Sequence, residues 1–305
     1  MITNEPSSLL PPALDNQLNI SEPASAERQL RILNPDDPSW GIPKALLTWA
    51  ASIGFLIFVP VLVILPYVVY LSLNSRVPPP QAMGTDKTFL FLSMLGVIPA
   101  HILTFGVAWI VVTNWGRYPF WETVGFSWPK SFGPWTSAAL YTGVALVLLG
   151  VGALVTSILG GGKTQLDQLI ESSYQTRVAT AFLAVVTAPF VEELIHRGIL
   201  YPALQRALGV PAAIAIVSIM FAGVHVYQYS NNLGVIAVIT LLSLTLTVVR
   251  AVTGKLLPSF MIHLVFNGVQ SVLLLIQPFF EKADKVIPSK IPALALIQTA
   301  LHHLI

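Results

Sequence analysis

The chain has 305 residues, 54% of them hydrophobic and only 10% charged, with a net charge of +2 and a mean hydropathy of +0.74. Soluble domains carry about 25% charged residues, so there is too little polar surface here to cover a water-soluble globule, and an all-α, polytopic transmembrane helix bundle is expected. The small net charge offers no basic patch for nucleic acid, and the lack of cysteine excludes disulfides, thiolate metal sites and cysteine nucleophiles.

Residues 1–42 are polar and rich in Pro, Ser and Asn, without the basic and apolar regions of a signal peptide. They read as a disordered tail. A membrane-crossing helix needs about 20 mostly apolar residues. The first such run covers 46–73, with no charge between Lys44 and Arg76, and the Pro-rich loop at 76–81 ends it. The second covers 89–112. The loop at 116–135 holds Tyr118, Phe120, Trp121, Phe126, Trp128 and Trp135, which predicts that it lies at headgroup level. A third span covers 137–159 and stops at Gly160, Gly161 and Gly162. A fourth starts near Val178 and runs beyond Glu193. The fifth, sixth and seventh cover 210–226, 233–252 and 256–276. After Pro278 a charged stretch precedes an apolar end at 291–305, readable as an eighth or an interfacial helix. About seven to eight spans are therefore expected. Nine Lys and Arg fall on the N-terminal side against seven on the other, a bias toward a cytoplasmic N-terminus.

Three of these runs carry polar groups where hydrocarbon penalises them. Glu192 and Glu193 are the only formally charged side chains between Arg177 and Arg197. An ionisable residue at bilayer depth costs roughly 2.5–3.5 kcal/mol on insertion scales, which makes it a candidate functional residue. His225 lies in the fifth run, and His263 and Asn267 in the seventh. Residues four apart share a helix face. Glu193 with Arg197 is then a structural ion pair, while Glu192, about 100° away around the helix, faces something else. His196 shares the face of Glu192, and His263 and Asn267 point into one cavity.

A carboxylate beside imidazole in a low-dielectric cavity is a general base for water, and a second His with an Asn supplies donors for an oxyanion. Glu192, His225 and His263 also form a His₂Glu set of the kind that binds a divalent metal such as zinc, although the helix signature of zinc peptidases is missing. Both readings stay open. A proton-coupled transporter is a third, weakened by the absence of internal repeats.

The pattern Glu192-Glu193-x-x-x-Arg197, Phe221-x-x-x-His225, His263-x-x-x-Asn267, with Gly254 and Pro258 ahead of the last motif, resembles the signature of the CAAX prenyl endopeptidase and bacteriocin-processing (CPBP, Abi) family of intramembrane proteases. The resemblance covers about residues 120–275. It implies a multi-pass protein in the lipid bilayer, expected in a bacterial plasma membrane, that hydrolyses a peptide bond of a membrane-associated, CAAX-like or prenylated protein or peptide. Glu192 would be the base and His225 would hold or activate the water. His263 and Asn267 would stabilise the oxyanion, Glu193 and Arg197 would brace the site, and His196 sits at a variable position. Some members are labelled metalloproteases. A non-catalytic scaffold or immunity protein of the same fold is the alternative. The expected organisation is a tail at 1–42, N-terminal transmembrane helices at 43–120, a catalytic domain at 121–278 and a C-terminal tail at 279–305. Simple counting places His225 at the far end of its helix from Glu192 and His263. A shared site therefore calls for tilted or broken helices, or a re-entrant stretch around 198–210.

Overall fold

The computed structural model describes residues 34–286, and the apolar end at 291–305 lies outside them. Among the described residues the fold is all-α with no strand. Six helices are long and apolar enough to cross a bilayer: α1 (Ile42–Leu73), α2 (Lys87–Thr113, jointed at Gly96), α3 (Pro134–Leu159), α5 (Tyr174–Leu208), α7 (Leu233–Thr253) and the Leu256–Phe279 part of α8 (Leu256–Val286). The amphipathic α4 (Gln165–Ser172) lies between α3 and α5, and a seventh apolar helix, α6 (Val210–Val226), has only 17 residues. The protein is thus an integral membrane helix bundle. Its helices match the runs of the sequence, except that α8 continues through Pro278 to Val286 instead of ending near 276.

Local chemistry sets the helix ends. Thr164 caps α4 in a reciprocal capping box with Asp167. Gly209, at φ +84°, makes the turn from α5 to α6, a conformation that favours glycine. Gly254 does the same between α7 and α8 at φ +63°. A close approach sits at Gly96, where an added Cβ would lie 2.5 Å from the Pro60 Cα of α1.

Two expectations change on the surface of the bundle. The aromatic loop between α2 and α3 is not wholly a headgroup belt. Phe120 is buried, and Phe126 packs on Phe190 and Phe260 at ring distances of 6.0 and 5.5 Å, while Trp115, Trp121 and Trp135 are exposed. The polar tail also becomes ordered before α1. Arg250, fully buried at the end of α7, bonds Asp36 Oδ1 at 2.7 Å and the Pro35 carbonyl at 3.0 Å. Arg206 bonds Asp37 and the carbonyls of Pro38 and Trp40. Trp40 is buried and donates its indole N–H to the Ile199 carbonyl at 3.0 Å. Residues 34–41 therefore form a clasp across the ends of α5 and α7. Two arginines that need acceptors, and the bond from Trp40 to the Ile199 carbonyl, hold it in place.

Candidate functional site

The site is built on α5, which is not a uniform α-helix. Two π-helical stretches, Leu183–Thr187 and Leu194–Leu200, flank the α-helical Ala188–Glu193. Each is followed within two residues by a proline, Pro189 and Pro202. Proline lacks an N–H and its ring clashes with the carbonyl four residues back, here Val185 and Gly198, and widening the preceding turn relieves both problems. Such π segments often mark functional sites. Here they free backbone carbonyls for side chains: the Ala184 carbonyl accepts from Asn267 Nδ2 at 3.0 Å and that of Ile199 accepts from Trp40.

Glu193 and Arg197 are buried and paired at 2.9 Å, as their spacing requires. The guanidinium has further bonds across the bundle, to Thr247 Oγ1 at 3.2 Å and to Ser243 Oγ and carbonyl at 2.7 and 2.9 Å on α7. It also stacks 4.6 Å over the ring of Phe221 on α6. A buried cation is stable when its donors are satisfied in this way.

Glu193 does more than brace. Its Oε1 also lies 2.9 Å from His263 Nδ1. A carboxylate ionised against Arg197 can only accept, so His263 donates through Nδ1–H and its Nε2 is left as an acceptor. That Nε2 is 3.8 Å from Oε2 of Glu192, beyond hydrogen-bond length, and the Glu192 side chain is 26% exposed. The two adjacent glutamates do diverge, yet they meet the same imidazole from opposite edges.

Phe221 gathers the remaining rings. His196, His225 and His263 lie 5.1, 4.8 and 5.9 Å from its centroid. His225 turns Nδ1 to the carbonyl of Phe221 at 2.8 Å, which likewise leaves its Nε2 as an acceptor. His196 does not share the carboxylate of Glu192. Its Nδ1 bonds the Glu192 backbone carbonyl at 2.9 Å, and its Nε2 is sealed in without a partner.

The depth mismatch between His225 and Glu192 disappears without a re-entrant stretch. α5 and α6 run antiparallel from Gly209, and Glu192 lies 17 residues before it and His225 16 after it. At about 1.5 Å per residue the two are nearly level. α8 also runs antiparallel to α5: Leu256 abuts Gly198, His263 meets Glu193 and Asn267 meets Ala184.

Glu192, His225 and His263 do not close into a ligand set: among the described residues, no three His, Asp or Glu side chains converge closely enough to hold a metal ion.

Two neighbours were not found from sequence. His101, buried on α2, has Nδ1 2.9 Å from Thr187 Oγ1 and feels the charge of Glu192. The signal was a histidine in an otherwise apolar run. One turn from this pair, Ile98 and Leu183 line an apolar cavity of about 390 Å³ with Phe91, Met94, Val178 and Phe182. Tyr229, four residues past His225, stacks with it at 6.5 Å and 24° between planes.

Residues 174–269 match the family described as Rce1-like, Type II CAAX prenyl endopeptidase Rce1-like, a segment that runs from the start of α5 into α8 and contains all three motifs. No curated protein and no solved structure matches the chain. This segment, about a third of the chain, is thus similar to the Type II CAAX prenyl endopeptidases, in keeping with the resemblance carried by the three motifs.

Proposed function

We propose that the protein is an intramembrane endopeptidase that hydrolyses a peptide bond of a membrane-associated, CAAX-like or lipid-modified protein or peptide, in the cytoplasmic membrane of a bacterium. The observation that carries this reading is the placement of Glu192: partly open, 3.8 Å from the free Nε2 of His263, beside a fixed ion pair that orients that ring.

In this mechanism Glu192 takes a proton from the attacking water, while Nε2 of His225, at the same depth, holds that water as an acceptor. The water oxygen adds to the scissile carbonyl carbon. Nε2 of His263 can receive the proton from Glu192, since Nδ1 is fixed on Glu193, and the proton then passes to the departing amine. The imidazolium formed in between lies between two carboxylates. With Nδ1 engaged, His263 can donate to the oxyanion only in that charged form. Asn267 retains one amide hydrogen after bonding Ala184 and offers it to the carbonyl oxygen. The apolar cavity one turn from His101 and Thr187 suits an aliphatic chain carried by the substrate.

The test is cleavage of a farnesylated peptide ending in a CAAX tetrapeptide by the protein in liposomes. Wild type should cleave, and Glu192→Ala and His225→Ala should insert normally and not cleave. Full activity in both variants would remove the assignment.

A further inference from the structure

The tetrahedral intermediate of the proposed reaction needs hydrogen-bond donors at its oxygen. The motif residues are short of them. His225 and His263 have their Nδ1–H groups on the Phe221 carbonyl and on Glu193, and one amide hydrogen of Asn267 is on the Ala184 carbonyl. Arg197 is enclosed by Glu193, Ser243 and Thr247.

Tyr229 has the missing group. Its backbone N–H bonds the His225 carbonyl at 3.2 Å, so the turn extends the register of α6 by one step and stacks the phenol on the imidazole. Its hydroxyl makes no hydrogen bond to the described residues, and it interacts electrostatically with Glu192. The groups that face it are Asp167 of α4, Glu192 of α5 and His225 of α6. Burial, followed by the charges of Glu192 and Asp167, pushes the phenol pKa up, so it stays a neutral donor across the ordinary working range.

The loop that carries Tyr229 is also held firmly. Gly162 N–H bonds the Asn231 carbonyl at 2.9 Å, Gly234 N–H bonds the Gly160 carbonyl at 3.2 Å, and Asn232 Oδ1 accepts from Val235 N–H at 3.0 Å. Gly161 lies so close that a Cβ there would be 2.6 Å from Asn232 Cα. A side chain on such a support is pre-positioned, as an oxyanion donor has to be.

We infer that Tyr229 is a further catalytic residue, its hydroxyl donating to the carbonyl oxygen of the scissile bond together with Asn267. The assignment rests on the endopeptidase reading of Glu192.

The experiment compares wild type, Tyr229→Phe and protein carrying 3-fluorotyrosine at 229 on the farnesylated CAAX peptide in liposomes, with kcat, KM and a pH profile for each. Tyr229→Phe should lower kcat by about 10²–10³-fold, the loss typical of one oxyanion donor, with little change in KM. Fluorination makes the phenol a stronger hydrogen-bond donor while burial keeps it neutral, so the 3-fluorotyrosine protein should keep or raise kcat, with KM and the pH profile unchanged. A merely structural tyrosine would give Tyr229→Phe and 3-fluorotyrosine the same kcat as wild type. Undiminished kcat in Tyr229→Phe, or a 3-fluorotyrosine kcat as low as that of Tyr229→Phe, overturns the assignment. If Tyr229→Phe fails to fold, the 3-fluorotyrosine kcat decides alone, and a fall of about 10-fold or more overturns the assignment. Wild type that cannot cleave overturns the endopeptidase reading and this inference with it, whereas active wild type with fully active Tyr229→Phe overturns only the role of Tyr229.

Discussion

His263 is bound to Glu193 through Nδ1 at 2.9 Å, and this bond turns its Nε2 toward Glu192. The adjacent glutamates therefore have separable duties, and substituting each should give a different phenotype. Glu193→Gln leaves the buried Arg197 without its counter-charge, and breaking such a pair costs about 3–5 kcal/mol. It should lower the thermal midpoint in detergent as well as activity. Glu192→Gln should leave the midpoint near wild type and lower kcat by about 10²–10⁴-fold, the usual range for a general base. Equal destabilisation by the two variants would contradict the division.

Asn267→Ala should be costly in two ways. The carbonyl of Ala184, released by the first π segment, loses its donor, and losing one such part-buried hydrogen bond costs about 0.5–1.5 kcal/mol. Catalysis should fall as well. Asn267→Asp keeps the shape but removes the N–H donors, so it should not rescue activity. Unfolding curves and kcat for the two variants check this.

The π segments should depend on their prolines. Pro202→Ala restores an N–H and removes the clash with the Gly198 carbonyl, which allows the turn at Leu194–Leu200 to tighten. Tightening rotates Arg197 relative to Glu193 and moves the Ile199 carbonyl away from Trp40. The expected result is a folded protein of reduced kcat. Unchanged kcat would mean that the π geometry has another cause.

Cleavage should persist in a chelator such as EDTA, because no three potential ligands converge among the described residues. Loss of activity with the chelator, restored by zinc, would show that Glu192, His225 and His263 move together in the working enzyme.

The clasp gives a stability prediction remote from the chemistry. Trp40→Phe fills most of the same space but leaves the Ile199 carbonyl unpaired, at a cost of about 1–3 kcal/mol. The thermal midpoint should fall while KM for the peptide stays constant.

Much of this was legible in the sequence. Spans follow from hydropathy because the bilayer requires long apolar helices. The Glu193–Arg197 pair follows from i,i+4 spacing, which survives a local π distortion. Other features did not follow. The contact of Glu193 with His263 joins residues 70 apart, and nothing local sets that distance. The face expected for His196 assumed 3.6 residues per turn, and the π segment at Leu194–Leu200 alters that register. Pro189 and Pro202 were the available signal for both distortions. Asp36 and Trp40 lay in a segment whose composition suggested disorder, and their partners, Arg250 and Ile199, are more than 150 residues away.

That same clasp fixes the parity of the membrane crossings. Asp36 precedes α1 and Arg250 ends α7, and because they touch, they lie on one side of the bilayer. The chain between them must then cross an even number of times. α1, α2, α3, α5 and α7 make five, so α6, although only 17 residues long, must be the sixth crossing. The contact of Arg206 with Asp37 sets the even step before α6, and the bond from Leu256 N–H to the Gly125 carbonyl brings the start of α8 back to that side. Tyr229 and the loop at 227–232 consequently open on the opposite face, a location that a protease or a membrane-impermeant label can check.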